Sequence, residues 1–241
     1  MSLTYLHYEV LRTFRSRALL FSLGFPLVLF LVVASTNRHA TLEGVSFPLY
    51  YMAGMASWGA MLGIISAGSR ISVERQQGWT RQLRLTPLSP RAYLLAKVVC
   101  GYLTALLTMV VLFVAGTVLG VRLGVREWAI MVGLALVGLV PFGLFGVMVG
   151  HLLKPDSLGP AVGGLSALFA LFGGAWGPIA THGTLLDLVR DIPSYWLVQS
   201  GTVAYGGGGW PLRGWVVVGI WSLAAARLAF VAYRRDTARV V

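Results

Sequence analysis

Residues 92–121 read AYLLAKVVCGYLTALLTMVVLFVAGTVLGV, and Lys97 is the one charged side chain in the run. A helix rises about 1.5 Å per residue, so about 20 apolar residues cross the roughly 30 Å hydrocarbon core of a bilayer. The run exceeds that length, enough to tilt or to project beyond the membrane. Working outward, five further spans emerge at about 18–34, 50–68, 128–153, 158–179 and 212–233, none with an acidic residue in its middle. Of the 241 residues, 57% are hydrophobic and 11% charged. A soluble domain carries about 25% charged residues, so this chain cannot cover a water-facing surface. A soluble globular enzyme, a disordered tail and a fibrous protein are excluded. The sequence predicts an all-α polytopic membrane protein with six transmembrane helices in one domain, residues 1–241.

Orientation follows from charge. With both termini inside, the inner segments hold fourteen of the 19 Lys and Arg residues. The outer ones hold Arg38, Arg122, Arg126, Arg190 and Arg213. The acidic residues divide evenly, so the net charge of +11 is nearly all on one side. The positive-inside rule places both termini in the cytoplasm. The first span has a basic leader, but about 17 apolar residues exceed a signal h-region of about 7–15, so it is expected to remain as a span. The single cysteine, Cys100, excludes an internal disulfide.

Three non-spanning stretches carry information. In residues 1–17, Leu3, Leu6, Val10 and Phe14 recur at helical spacing, which predicts an amphipathic elbow helix on the cytoplasmic membrane surface. Residues 71–90, ISVERQQGWTRQLRLTPLSP, form the longest inner loop. Trp79 and Leu83 share one side of a short helix, and Arg81 and Arg84 another. Thr86-Pro87 ends that helix. Ser89 offers an N-cap and Pro90 the first position of the next helix. Topology-setting arginines alone would not need an exposed tryptophan, and apolar residues facing water mark a contact. The outer segment 182–210 is too polar to span. It is expected to lie at the interface or dip in, with Tyr195, Trp196 and Tyr205 at headgroup level. Glycine pairs four residues apart, including Gly59/Gly63, Gly146/Gly150 and Gly159/Gly163, favour close helix packing. Pro26 and Pro141 are expected to kink their spans.

The chain lacks G-x-x-x-x-G-K-[ST], so it has no P-loop for phosphates. His7, His39, His151 and His182 are scattered, and no zinc site is expected. A rhomboid-type protease would use Ser166 in Gly164-Leu165-Ser166-Ala167, but the sixth span holds no histidine to serve as its base. An ion-coupled secondary transporter or a channel is the stronger rival, yet the spans offer few ionisable groups at mid-membrane.

The loop Val73-Glu74-Arg75-Gln76-Gln77-Gly78-Trp79-Thr80-Arg81-Gln82-Leu83, then Leu85-Thr86-Pro87-Leu88-Ser89 and Leu94-Leu95-Ala96-Lys97, resembles the inner loop of type-2 ABC exporter permeases. Ile192-Pro193-Ser194-Tyr195-Trp196, the glycine run and Tyr233-Arg234-Arg235 resemble that family's outer segment and basic tail. The family more often has a smaller or charged residue at Trp79. The resemblance implies the membrane subunit of an ATP-driven exporter in the plasma membrane, working with two separate ABC ATPase subunits and a second permease copy, a homodimer. It implies no cofactor on this chain; ATP and Mg would sit on the ATPase, and nucleic acid has no part. Glu74, Arg75, Gln76, Gly78, Trp79, Thr80, Arg81, Leu83, Arg84, Thr86, Pro87 and Ser89 would form the coupling helix. A hydrophobic or amphipathic cargo (a drug, antibiotic or lipid-like compound) would pass aromatic walls, for which Trp58, Phe142, Phe145, Phe172 and Trp176 are the candidates.

Overall fold

The Ser89 hydroxyl accepts a hydrogen bond from the Ala92 amide, 3.3 Å away, and Pro90 takes the first helical turn. The third expected span therefore starts where its cap and proline place it. In a computed structural model, residues 3–42, 44–79, 82, 89–179, 182–205 and 207–238 are described. Along them run α1 (Leu3–Phe14), α2 (Arg17–Thr36), a hairpin of β1 (Thr41–Leu42) and β2 (Val45–Ser46), and α3 (Phe47–Gln76). After these come α4 (Pro90–Val118), α5 (Val125–Gly138), α6 (Val140–Leu152) and α7 (Pro155–Gly173). The last are α8 (Thr184–Val189), α9 (Pro193–Ala204) and α10 (Leu212–Ala238). The chain is an all-α membrane protein.

Among the described residues, five stretches are long and apolar enough to cross a bilayer: α2, α4, α5 with α6, α7 and α10. The other expected crossing, 50–68, lies within α3. That helix has 30 residues, about 45 Å at helical rise, but its composition is less apolar. The reason is its position. α3 packs against α2, α4, α6, α7 and α9, and its residues are buried almost continuously from Pro48 to Glu74. A helix surrounded by helices needs small side chains for close approach more than it needs aliphatic surface for lipid. The outer helices show the converse. Leu20, Val32, Val114, Val118, Ile220 and Leu223 are all exposed, as lipid-facing surface requires.

The fourth span is one crossing, interrupted at the single residue Leu139, which keeps right-handed helical torsions with Pro141 just after it, so the expected disturbance at Pro141 appears as a one-residue break between α5 and α6. The fifth stops at Gly173, because Gly174 takes a left-handed conformation (φ +76°) that closes the helix. Pro26 does lie inside α2.

The glycine pairs separate into two kinds. Gly146 and Gly150 face α3: a Cβ on Gly146 would stand 2.7 Å from the Ile65 carbonyl oxygen, and one on Gly150 2.6 Å from that of Gly68. The seam between α3 and α6 is therefore backbone against backbone. Gly59 meets α2 at the Ser22 carbonyl, and Gly63 meets Thr104 of α4. Gly159 and Gly163 have open space around them.

The 182–210 segment does more than lie flat. α9 is buried against α3, α5 and α7, with Trp196 among the buried residues. The Trp196 indole donates to the Arg190 carbonyl at 2.7 Å. Trp196 is an internal packing residue, in keeping with the second of the two expectations, that the segment dips in. Tyr205 is exposed.

Candidate functional site: the clasped root of the inner loop

α3 ends at Gln76, and its last turn is held from two sides. Glu74 is 2% exposed and points toward α1 and α4. Lys97, 1% exposed, donates to Glu74 Oε1 at 2.5 Å and to Glu9 Oε1 on α1 at 2.5 Å. Arg12 donates to the same Glu9 oxygen at 2.9 Å and also to Glu74. The Tyr93 hydroxyl donates to Glu74 Oε2 at 2.5 Å. Two carboxylates from α1 and α3 thus share two cations, one from α1 and one from α4. The Glu9, Glu74 and Lys97 charges are buried only because an opposite charge is within hydrogen-bond reach, and Arg12 closes the cluster from its exposed side.

The next residue turns the other way. Arg75 pairs with Asp236 of α10 at 3.1 Å and donates to the backbone carbonyl of His151 at the end of α6. The Asp236 carboxylate also meets His151 Nδ1 at 2.9 Å, and the Ser72 hydroxyl donates to the Leu153 carbonyl at 2.6 Å. Successive helical residues point about 100° apart, so Glu74 and Arg75 fasten the same turn to opposite halves of the bundle.

Beyond this clasp Gln76 and Gln77 are exposed, and Gly78 has φ +72°, a left-handed conformation that favours glycine. Trp79 and Gln82 are helical, and Trp79 is 39% exposed. Thr80, Arg81, Leu83, Arg84, Thr86 and Pro87 lie outside the described residues. Of the expected coupling residues, then, Gln76, Gly78 and Trp79 lie outward. Glu74 and Arg75 do not; their charges are spent on internal partners. Ser89 is the cap of α4.

Burial alone would raise the Glu74 carboxyl. The charge of Lys97 and the hydrogen bonds from Lys97, Tyr93 and Arg12 outweigh it, and the group sits below its ordinary 4.5. A depressed carboxyl contributes stability that is fully present above its unfolded value and is lost as pH falls through the folded one. Thermal stability is expected to hold from neutral pH down to roughly pH 5 and to fall below about pH 4.5. Glu74→Gln should be less stable at neutral pH and show a smaller acid loss; a full acid loss in that variant would remove Glu74 from the effect.

Four of the five aromatic pathway candidates fall into two groups. Trp58 stands edge-on to Trp176, ring centres 5.0 Å apart, and to Phe25 at 5.6 Å. Phe142 and Phe145 clasp Phe169 at 5.2 and 6.0 Å. Phe142 is wholly buried packing, whereas Phe172 and Trp176 are exposed. Phe172 also lines a cleft of about 200 Å³ with Tyr50, Arg190, Tyr195 and Gln199.

Sequence reasoning placed Lys97 only as a feature of its span and missed its partners. The available signal was a lone charge in an apolar run, which needs a counter-charge. Glu9 and Glu74 are two of only 8 Asp and Glu residues in the chain.

A helical bundle with exposed apolar outer helices, five stretches of which are long and apolar enough to cross a bilayer among the described residues, defines a multi-pass membrane protein. Residues 31–232 match the family described as ABC-2 family transporter protein. Over 209 residues the chain is 28% identical to YvfS of Bacillus subtilis (strain 168), a protein that bears the name of a transport permease. That alignment covers 85% of this chain and 82% of YvfS. The chain belongs to the ABC-2 family of transporter proteins. It is the membrane subunit of an ABC transporter, and that family works with an ABC ATPase.

Proposed function

We propose that this subunit exports a hydrophobic or amphipathic compound across the plasma membrane. Two copies of a separate ATPase bind ATP and Mg and hydrolyse the nucleotide, and a second copy of this chain completes the pathway as a homodimer. Both termini face the cytoplasm, as the charge asymmetry favours. The observation that carries this reading is the double clasp on the last turn of α3, which residues 77–88 follow directly in sequence. A push on that loop reaches α1 and α4 through Glu74, and α6 and α10 through Arg75. Nucleotide binding then favours one packing of the bundle over another by its differential contact with the loop. The ion-poor, aromatic spans suit a cargo held by apolar contact.

The test is reconstitution into vesicles. Transport of a fluorescent amphipathic probe is expected only with the ATPase and ATP present. It should run from the face that carries the loop to the opposite face. Uptake by the chain alone, driven by an ion gradient, would overturn the reading.

A further inference from the structure

At the end of α3 opposite the clasp, a cleft of about 200 Å³ lies between α3, the end of α7, α8 and α9. Its walls are held by contacts that the clasp does not share. The hydroxyl of Tyr50, near the start of α3, donates to the Gly174 carbonyl at 2.9 Å and so fixes the left-handed turn that closes α7. The Trp196 indole holds the Arg190 carbonyl between α8 and α9. From α10, Arg213 donates to the carboxylates of Asp187 and Asp191.

Three of the lining side chains have hydrogen-bond donors to spare. Arg190 is half-buried, and its Nη1 stands 4.0 Å from Asp187, beyond hydrogen-bond reach. The same Asp187 oxygen is drawn to Arg213 at 3.2 Å. The Arg190 guanidinium, with five N–H donors, therefore makes no hydrogen bond among the described residues. Tyr195 and Gln199 are four apart on α9 and share a face. The Gln199 amide oxygen accepts from the Thr202 hydroxyl, which leaves the amide nitrogen without a partner among the described residues. The Tyr195 hydroxyl has none there either. Among the described residues no carboxylate lines the cleft. The rest of the wall is apolar, with Phe172, Ile179, Leu186 and Val189.

We propose that this cleft binds a small organic acid, its carboxylate on Arg190, Tyr195 and Gln199 and its apolar body against Phe172, Leu186 and Val189. A group that only accepts hydrogen bonds suits a site that offers only donors, and a guanidinium grips a carboxylate by paired charge-assisted hydrogen bonds. Size sets the class of molecule. A cavity of about 150 Å³ accepts a benzene ring, and drug-sized ligands need about 300–1,000 Å³. A space of about 200 Å³ therefore takes one ring, or a branched aliphatic group, together with its acid group. An inorganic anion would leave the apolar walls wet. The site stands on the geometry of this end of the bundle and does not depend on the transport reading.

The test uses the purified full chain in detergent and fluorine NMR of para-fluorobenzoate. Its resonance should broaden with the chain present, and more than that of para-fluorobenzyl alcohol, the neutral probe that reports partition into detergent. Arg190→Gln should weaken binding by about tenfold or more, as expected for losing a charged hydrogen-bonding partner. Tyr195→Phe should weaken it by about threefold to tenfold, and keeps the proposal testable if Arg190→Gln does not fold. Arg122→Gln, which removes an exposed cation elsewhere, should leave binding unchanged. Equal binding by wild type and both cleft variants would overturn the site. Equal binding of the acid and the alcohol would overturn the carboxylate assignment. Displacement of the probe by inorganic phosphate as readily as by unlabelled benzoate would reduce the cleft to a bare anion site, and readier displacement by phosphatidylglycerol would reassign it to a lipid head group; either result overturns the small organic acid.

Discussion

Lys97→Ala is expected to lose about 3–5 kcal/mol of stability, the cost of removing one partner from a buried ion pair. The ammonium is the bond between Glu9 on α1 and Glu74 on α3. Without it two buried carboxylates face each other with Arg12 alone between them. The readout is the melting temperature of the purified chain in detergent, followed by size-exclusion chromatography. The loss should be conditional on the carboxylates. Replacing buried charges together by neutral groups is often near neutral, so Lys97→Met with Glu9→Gln and Glu74→Gln should recover most of the stability. A Lys97→Ala protein that melts with the wild type would show that the cluster does not hold these helices together.

The second large effect concerns the loop. Trp79→Ala with Arg81→Ala should abolish transport while leaving the chain inserted and folded. Tryptophan and arginine are the residues that dominate docking surfaces, and truncating such an anchor costs about 2 kcal/mol or more, at least a tenfold loss of affinity. Trp79 extends from the bundle and is not part of its core, so its removal should spare the fold. ATP hydrolysis by the partner should continue at its unstimulated rate. Transport at the wild-type rate would dissociate this loop from coupling. The two experiments separate the parts of the device: the lysine variant fails as a protein, the loop variant as a transporter.

The membrane class and most helix positions were legible because burial in lipid imposes length and apolarity on contiguous residues. Residues 92–121 could hardly be anything else. α3 was harder to classify, because a helix enclosed by other helices trades Leu and Val for Gly, Ala, Ser and Met. The break at Leu139 was only half visible: Pro141 announced a disturbance but not whether the helix would bend or restart. Which of its two expected places Trp196 would take was not legible, because an aromatic residue in a polar segment reads the same at an interface as inside a bundle. The clasp was the least legible feature. Glu9, Glu74 and Lys97 are separated by 65 and 23 positions, and only the packing of three helices makes them neighbours. The adjacent Glu74 and Arg75 gave no sign that they turn to opposite sides.

The backbone-on-backbone seam between α3 and α6 limits how the subunit deforms. Joints that slide usually do so by rotamer exchange among interdigitated side chains. At Gly146 and Gly150 glycine faces a carbonyl, and at those two contacts no rotamers exist to exchange. Sliding of α3 past α6 there would need the two backbones to separate, whereas contacts built of hydroxyls and aliphatic chains can re-seat.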